Sequence, residues 1–245
     1  MTAELVGTGL RGAVIGALST VRDPELDESI VDLGFVTETT VLDGQVTVRL
    51  RLPTYFCAPN FAYLMVADAY DAVRSVDGVG SASIVLEDHF ASEEINAGVA
   101  AGTGFVGAFP EQAVAELGTL RRTFQLKAHS ACLERACQRL LKNGWTVEGL
   151  SEAHLGDLPA GPERSSLIRR RADIGLPVQD ESTMFVDDAG EPVPADQLPL
   201  RLRFAQTVRV SIDGNAHFCR GLLTTRYPEA AGDQMPRRPE EEARP

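Results

Sequence analysis

Leu5, Leu10, Val14, Ala17, Leu18 and Val21 recur at steps of three to four residues, which predicts an amphipathic helix over about residues 3–22. Asp23-Pro24 ends it, with Asp23 suited to cap the turn that follows and Pro24 to its first position. The period then changes. Val46, Val48, Leu50 and Leu52 alternate with Thr47, Arg49 and Arg51, so Val36–Leu42 and Gln45–Leu52 read as a half-buried hairpin about Asp43-Gly44. Beyond Cys57, the residues Phe61, Leu64, Met65, Ala69, Ala72, Val73 and Val76 restore helical spacing, and Val79–Leu86 returns as a strand. The first module is therefore helix, two strands, helix, strand.

The pattern loosens after residue 90. Gly98, Gly102, Gly104 and Gly107 between short apolar pieces predict an irregular connector over 91–118, with a helix starting at Pro110. Thr119–Asn143 is a long helix closed at Gly144, and Glu163–Ile174 is a second, carrying Arg169-Arg170-Arg171. Strand-like runs follow at Thr183–Val186 and Val208–Ile212, the latter ended by an Asp213-Gly214-Asn215 turn. The Pro-, Glu- and Arg-rich tail from Pro228 to Pro245 reads as disordered. The expected fold is α/β of the α+β kind: a helix-hairpin-helix-strand module with a small mixed sheet over 1–90, the connector over 91–118, and an α+β region over 119–227.

Composition narrows the partners. A chain of 245 residues with 44% hydrophobic content can bury a core, while a net charge of -12, from 23 Lys and Arg against 35 Asp and Glu, opposes nucleic-acid binding. No apolar run is long enough to span a bilayer and no signal peptide is evident, so a cytoplasmic setting without membrane association is expected. The four cysteines, Cys57, Cys132, Cys137 and Cys219, are too few and scattered for a disulfide framework, and reduced thiols are expected.

Two motifs then stand out in order. Asp23-Pro24-Glu25-Leu26 is followed by Ile30-Val31-Asp32-Leu33-Gly34, and the hairpin ends in a loop with Thr54 and Cys57. This run resembles the iron-sulfur assembly domain family that includes SufT, the N-terminal part of PaaD and the targeting subunit of the eukaryotic cytosolic assembly machinery. The resemblance covers about residues 5–90 and departs from the family at Ala58, which separates Cys57 from Pro59 where the family places Pro directly after Cys. It implies a maturation factor that handles a transient iron or iron-sulfur cluster through Cys57, with a client metalloprotein and the assembly machinery as partners. Asp23, Pro24, Glu25, Asp32, Gly34 and Thr54 are the family-motif positions. The long acidic form further resembles domains encoded beside soluble di-iron hydrocarbon monooxygenases in actinobacteria, which implies such an oxygenase as client.

The residues themselves support more than one chemistry. Cys57 before a helix N-terminus is placed for a lowered thiol pKa and for binding soft metal, or is a small buried thiol in a tight loop. One thiol cannot fill a cluster's coordination sphere, so further ligands must come from a partner, a second copy in a homodimer, or this chain. His129 and Cys132 lie three apart on one helix face, and His217 and Cys219 share a strand face if that segment is extended, making a conceivable four-ligand set; Cys137 points elsewhere. Against it, no paired spacing supports a metal site, and Cys132 also fits an apolar helix face. His89 beside Asp88 could activate Cys57 for a thiol enzyme, or lie as a polar strand end in solvent. A metal-free assembly chaperone or structural subunit of an oxygenase completes the alternatives. The Arg164 and Arg169–Arg171 cluster reads as a solvated face or a set of salt-bridge donors.

Overall fold

The computed structural model describes residues 3–228, with side chains described from residue 9 onward. The disorder expected of the tail falls almost wholly on 229–245, outside the described residues. Helix α1 (Ala3–Leu18) leads into the turn at Asp23, and the hairpin forms from strands β1 (Val36–Leu42) and β2 (Gln45–Arg51). Asp43 and Gly44 both take positive φ, 47° and 76°, as the two-residue turn requires. Helix α2 (Pro59–Arg74) carries the chain to strand β3 (Ser81–Glu87), which pairs parallel to β2 from Gln45↔Ser81 to Arg51↔Glu87. The sheet order β1-β2-β3 is therefore mixed, with β1 and β2 antiparallel. Val46, Val48, Leu50, Ile84 and Leu86 alternate inward and bury their side chains with those of Val14, Leu18, Ala62, Val66, Ala69 and Val73 from the two helices.

The glycine-bearing connector is more regular than its composition predicts. Helices α3 (Ser92–Ala101) and α4 (Gly104–Ala108) occupy it, and Pro110 falls in a turn instead of starting a helix. Gly98 is there for contact: a Cβ on it would lie 2.5 Å from the Ala108 Cβ, so the glycine lets α3 and α4 touch. Ile95, Val99 and Phe109 join the first core.

Helices α5 (Gly118–Lys142) and α6 (Pro162–Asp173) match their expected spans, and Gly144 closes the former with φ 96°. Cys132, Leu133, Ala136, Leu140, Leu155, Leu167 and Phe185 are among the residues of a second buried cluster. The two expected strands are absent among the described residues. Thr183 and Val186 make only isolated bridges, to His154 and Pro192. Val208–Ile212 lies within helix α7 (Leu198–Arg226), and Asp213-Gly214-Asn215 continues it without a turn. The reason is a longer period: Leu198, Leu202, Ala205, Ile212, Ala216, Cys219 and Leu223 follow three- and four-residue steps once Arg209 is counted in the gap between Ala205 and Ile212, and this stripe is buried or half-buried against the rest of the protein. The short Val208, Val210, Ile212 alternation is incidental to it, and Val210 is exposed.

Candidate metal-handling site

The Asp23 turn positions the floor of the site. Asp23 Oδ1 accepts the N–H groups of Glu25 (2.8 Å) and Leu26 (2.9 Å), capping the turn as its sequence suggests. Leu26, Ile30 and Leu33 then bury, and Gly34 takes φ 76° to bring Phe35 into β-sheet register. Despite its two N–H bonds, burial pushes the Asp23 carboxyl up to about 6. Asp23, Pro24, Glu25 and Gly34 thus build the turn, whereas Asp32 is exposed.

Cys57 lies in the loop between β2 and α2, one residue before Ala58, the N-cap of α2, with Pro59 in the first helical turn. Its sulfur is half-buried and sits 3.3 Å from the Thr54 hydroxyl, which donates to it whenever the sulfur is a thiolate. The loop is pinned from β3. His89 Nε2 lies 2.7 Å from the Cys57 carbonyl oxygen, and His89 Nδ1 accepts the Ala91 N–H at 3.2 Å. Accepting at Nδ1 fixes the proton on Nε2, so the neutral ring donates to the carbonyl.

His89 is therefore not a strand end in solvent. It is 3% exposed, and its pKa is lowered by burial and by the nearby Arg226 charge, against the opposing effect of the Cys57 carbonyl. Nor does it form a thiol-imidazole pair: both ring nitrogens are committed to backbone groups.

Helix α7 crosses this loop. Asn215 Nδ2 donates to Glu25 (3.2 Å), Arg220 pairs with Glu28, Arg226 donates to the carbonyls of Leu52 (3.1 Å) and Asp88 (2.6 Å), and Tyr227 donates to Asp88 at 3.1 Å. Between these anchors sits half-buried Cys219. Burial, followed by the charges of Asp23, Cys57 and Glu25, pushes its thiol up to about 11, so it is protonated at neutral pH and lies within electrostatic reach of Cys57. Thr54 and Cys57 thus meet in the loop, and Cys219 packs against the same core as Cys57.

The structure does not assemble the wider ligand set. On a helix, His217 and Cys219 are turned about 200° apart, so they cannot share a face as they would on a strand, and His217 is exposed. His129 and Cys132 are both buried on the inner face of α5. Cys132 lies 3.7 Å from Asp27, its thiol pushed up to about 11 chiefly by burial, and Cys137 is pushed up to about 12 in the second core. Among the described residues, no group of three or more His, Cys, Asp and Glu is arranged to hold a metal ion.

The arginine cluster is structural. Arg170 reaches Asp27 at 2.6 Å and also pairs with Asp173, while Arg171, 1% exposed, donates to the carbonyls of Pro177 (2.6 Å), Thr183 (3.1 Å) and Met184 (3.0 Å). Arg121 clamps Asp68 with bonds of 2.6 and 2.7 Å, and Arg164 pairs with Asp180. The Arg170–Asp27 and Arg121–Asp68 contacts join α6 and α5 to the first module around a cleft of about 310 Å³ behind the Asp23 turn, while Arg171 and Arg164 tie α6 to the loop that follows it.

The comparisons with known proteins fall on this same module. The sequence model described as iron-sulfur cluster assembly protein matches residues 11–84. A protein of Methanocaldococcus jannaschii, named only as uncharacterized protein MJ1129, is 36% identical over 84 residues, covering 34% of this chain and 86% of its own length. The chain belongs to the iron-sulfur cluster assembly protein family. No solved structure matches it. Membership gives the family domain a general role in assembly or maturation and accounts for the order of its motifs: the Asp23 turn, the hairpin and the Cys57 loop all belong to that domain. Helix α7 does not. It lies outside the matched residues yet carries Cys219, and the sequence clue to its course is the stripe of seven apolar residues from Leu198 to Leu223, masked by Asp213-Gly214-Asn215. No helix of the described residues is long and apolar enough to cross a membrane.

Proposed function

We propose that this member of the iron-sulfur cluster assembly family is an adaptor that passes iron or an iron-sulfur cluster to a client metalloenzyme, with Cys57 the principal thiol and Cys219 the second. The observation that carries this reading is the half-buried Cys57 thiol beside the Thr54 hydroxyl in the loop of the family domain, with Cys219 of α7 packed against the same core. Two thiols are half of a usual four-cysteine cluster shell, so the remaining ligands come from the client, a donor or a second copy. That arrangement suits transfer better than storage. Beside the loop, Tyr55, Phe56 and Phe90 form an exposed trio with ring centroids 5.1 to 6.4 Å apart, Phe56 being 77% exposed. It offers an apolar anchor to a client protein. The Cys219 thiol loses its proton when soft metal binds, and the nearby carboxylates of Asp23 and Glu25 favour a cation there.

A di-iron monooxygenase is the client class that follows from the resemblance of this long acidic form, and its site would be read by the part of the chain beyond the family domain. Cytoplasmic residence accords with this role and with thiols kept reduced. The test is anaerobic reconstitution of the full chain with iron and sulfide, read by visible absorption and metal analysis, together with the iron content of the client in cells. Cys57→Ala is expected to abolish thiolate-to-iron absorption, and Cys219→Ala to weaken it. Iron binding and client loading unchanged in Cys57→Ala would remove Cys57 from the mechanism, and a natural chain that takes up no iron would leave a metal-free chaperone.

A further inference from the structure

Away from the Cys57 site, helix α5, the first turns of α7 and the loop around 185–193 enclose a second cleft of about 290 Å³, near the lower end of the range for small-molecule sites. Its walls are mainly apolar, with Leu126, Leu133, Phe185, Val193 and Val208 among them, and exposed Phe204 stands at its lip, 67% exposed. Into this lining comes His129. The side chain is 3% exposed and its Nε2 has no hydrogen-bond partner, which is costly for a buried polar atom left without a ligand or water. Burial and the Arg171 charge push its pKa down to about 4, so at neutral pH it offers one N–H donor and one acceptor.

The charges at the cleft are unevenly engaged. Asp187 accepts the N–H groups of Ala189 (2.9 Å) and Glu191 (3.0 Å) in its own turn. Lys127 lies over the Phe124 ring at 4.4 Å, and neither it nor Arg201 has a carboxylate partner among the described ion pairs. Against these two cations stand Asp188 and Asp187, the latter turned to its own backbone N–H groups.

We propose that this cleft binds a small amphipathic anion, a carboxylate or similar headgroup on an aryl or short acyl body. The body lies against Leu133, Phe185 and Val208 and covers Phe204, while the headgroup accepts from the His129 ring and pairs with Arg201. This places a ligand site in the part of the chain outside the matched family domain, independent of metal handling at Cys57.

The probes are octanoate, its neutral counterpart octanol, and the fluorescent anion 8-anilinonaphthalene-1-sulfonate, applied to the folded full chain at neutral pH. Octanoate is expected to bind one-to-one and saturably, to displace the fluorescent anion and to shift the His129 ring resonances in an NMR spectrum. Val208→Trp, which fills the cleft, is expected to weaken binding at least tenfold, and exposed Arg201→Ala roughly tenfold through loss of a charged hydrogen bond. Because Arg201 is on the surface, its variant remains informative if Val208→Trp fails to fold. Unsaturable binding, octanol binding as tightly as octanoate, unmoved His129 resonances or unchanged affinity in Arg201→Ala would each overturn the proposal.

Discussion

With Nδ1 accepting the Ala91 N–H and Nε2 donating to the Cys57 carbonyl, the neutral His89 ring ties the end of β3 to the thiol loop. It cannot take a proton from the sulfur without first giving up the Ala91 bond. His89→Ala therefore removes two buried bonds and leaves their partners unmet, an expected loss of about 2–3 kcal/mol in urea unfolding. The same variant separates an anchor from a catalytic base. Alkylation of Cys57 by iodoacetamide at neutral pH is expected to hold its rate or quicken as the loop loosens, whereas a tenfold fall would restore the thiol-enzyme reading. The sequence could name both residues, because Cys57 sits in a recognisable motif and His89 follows an apolar strand. It could not say which atoms meet, since the imidazole engages the peptide group of Cys57 and not its side chain.

At the scale of elements, α5 and α7 are locked by a buried carboxylate. Glu134, 1% exposed, accepts from Arg209 Nε at 2.6 Å and from Gln138 at 3.1 Å. Arg209→Ala would strand that charge in the helix interface, an expected cost of about 3 kcal/mol, while replacing both Glu134 and Arg209 by Leu is expected to recover most of it. Thermal unfolding of the single and double variants measures the difference. Arg209 also hides α7 in the sequence: it occupies the position in the apolar stripe between Ala205 and Ile212, so the charge interrupts the helical period where the Val208–Ile212 alternation mimics a strand. The connector misled for a different reason. Its glycines suggest breaks, but Gly98 serves close packing of α3 on α4, a role that composition cannot distinguish from flexibility. The hairpin was legible because its signal is local. Gly44 has φ 76° and a Cβ there would meet the Gly78 carbonyl oxygen at 3.0 Å, so Gly44→Ala is expected to cost about 1–2 kcal/mol, checked by denaturant midpoint.

Across the whole molecule, two buried groups make folding respond to pH in opposite directions. His129 titrates at about 4 when folded against 6.5 ordinarily, so the unfolded chain binds its proton more readily. Its contribution is present above 6.5 and is lost as pH falls toward 4, a change of about 3 kcal/mol. Asp23 has the reverse sign. Its carboxyl, raised from 3.8 to about 6, is harder to ionise in the folded state, so its charge costs about 3 kcal/mol at neutral pH and that cost is relieved as pH falls below about 6. The two slopes nearly cancel, and His89, also lowered, adds a component of the His129 sign. Asp23→Asn keeps a side-chain oxygen for the Glu25 and Leu26 N–H groups while removing the titration. The variant is therefore expected to be more stable than the natural protein at pH 7 and to lose about 3 kcal/mol between pH 6.5 and 4, a range over which the natural protein changes much less. Urea unfolding of both proteins at three pH values across that interval decides the matter: parallel profiles would mean that Asp23 carries no raised pKa and that the turn tolerates its charge.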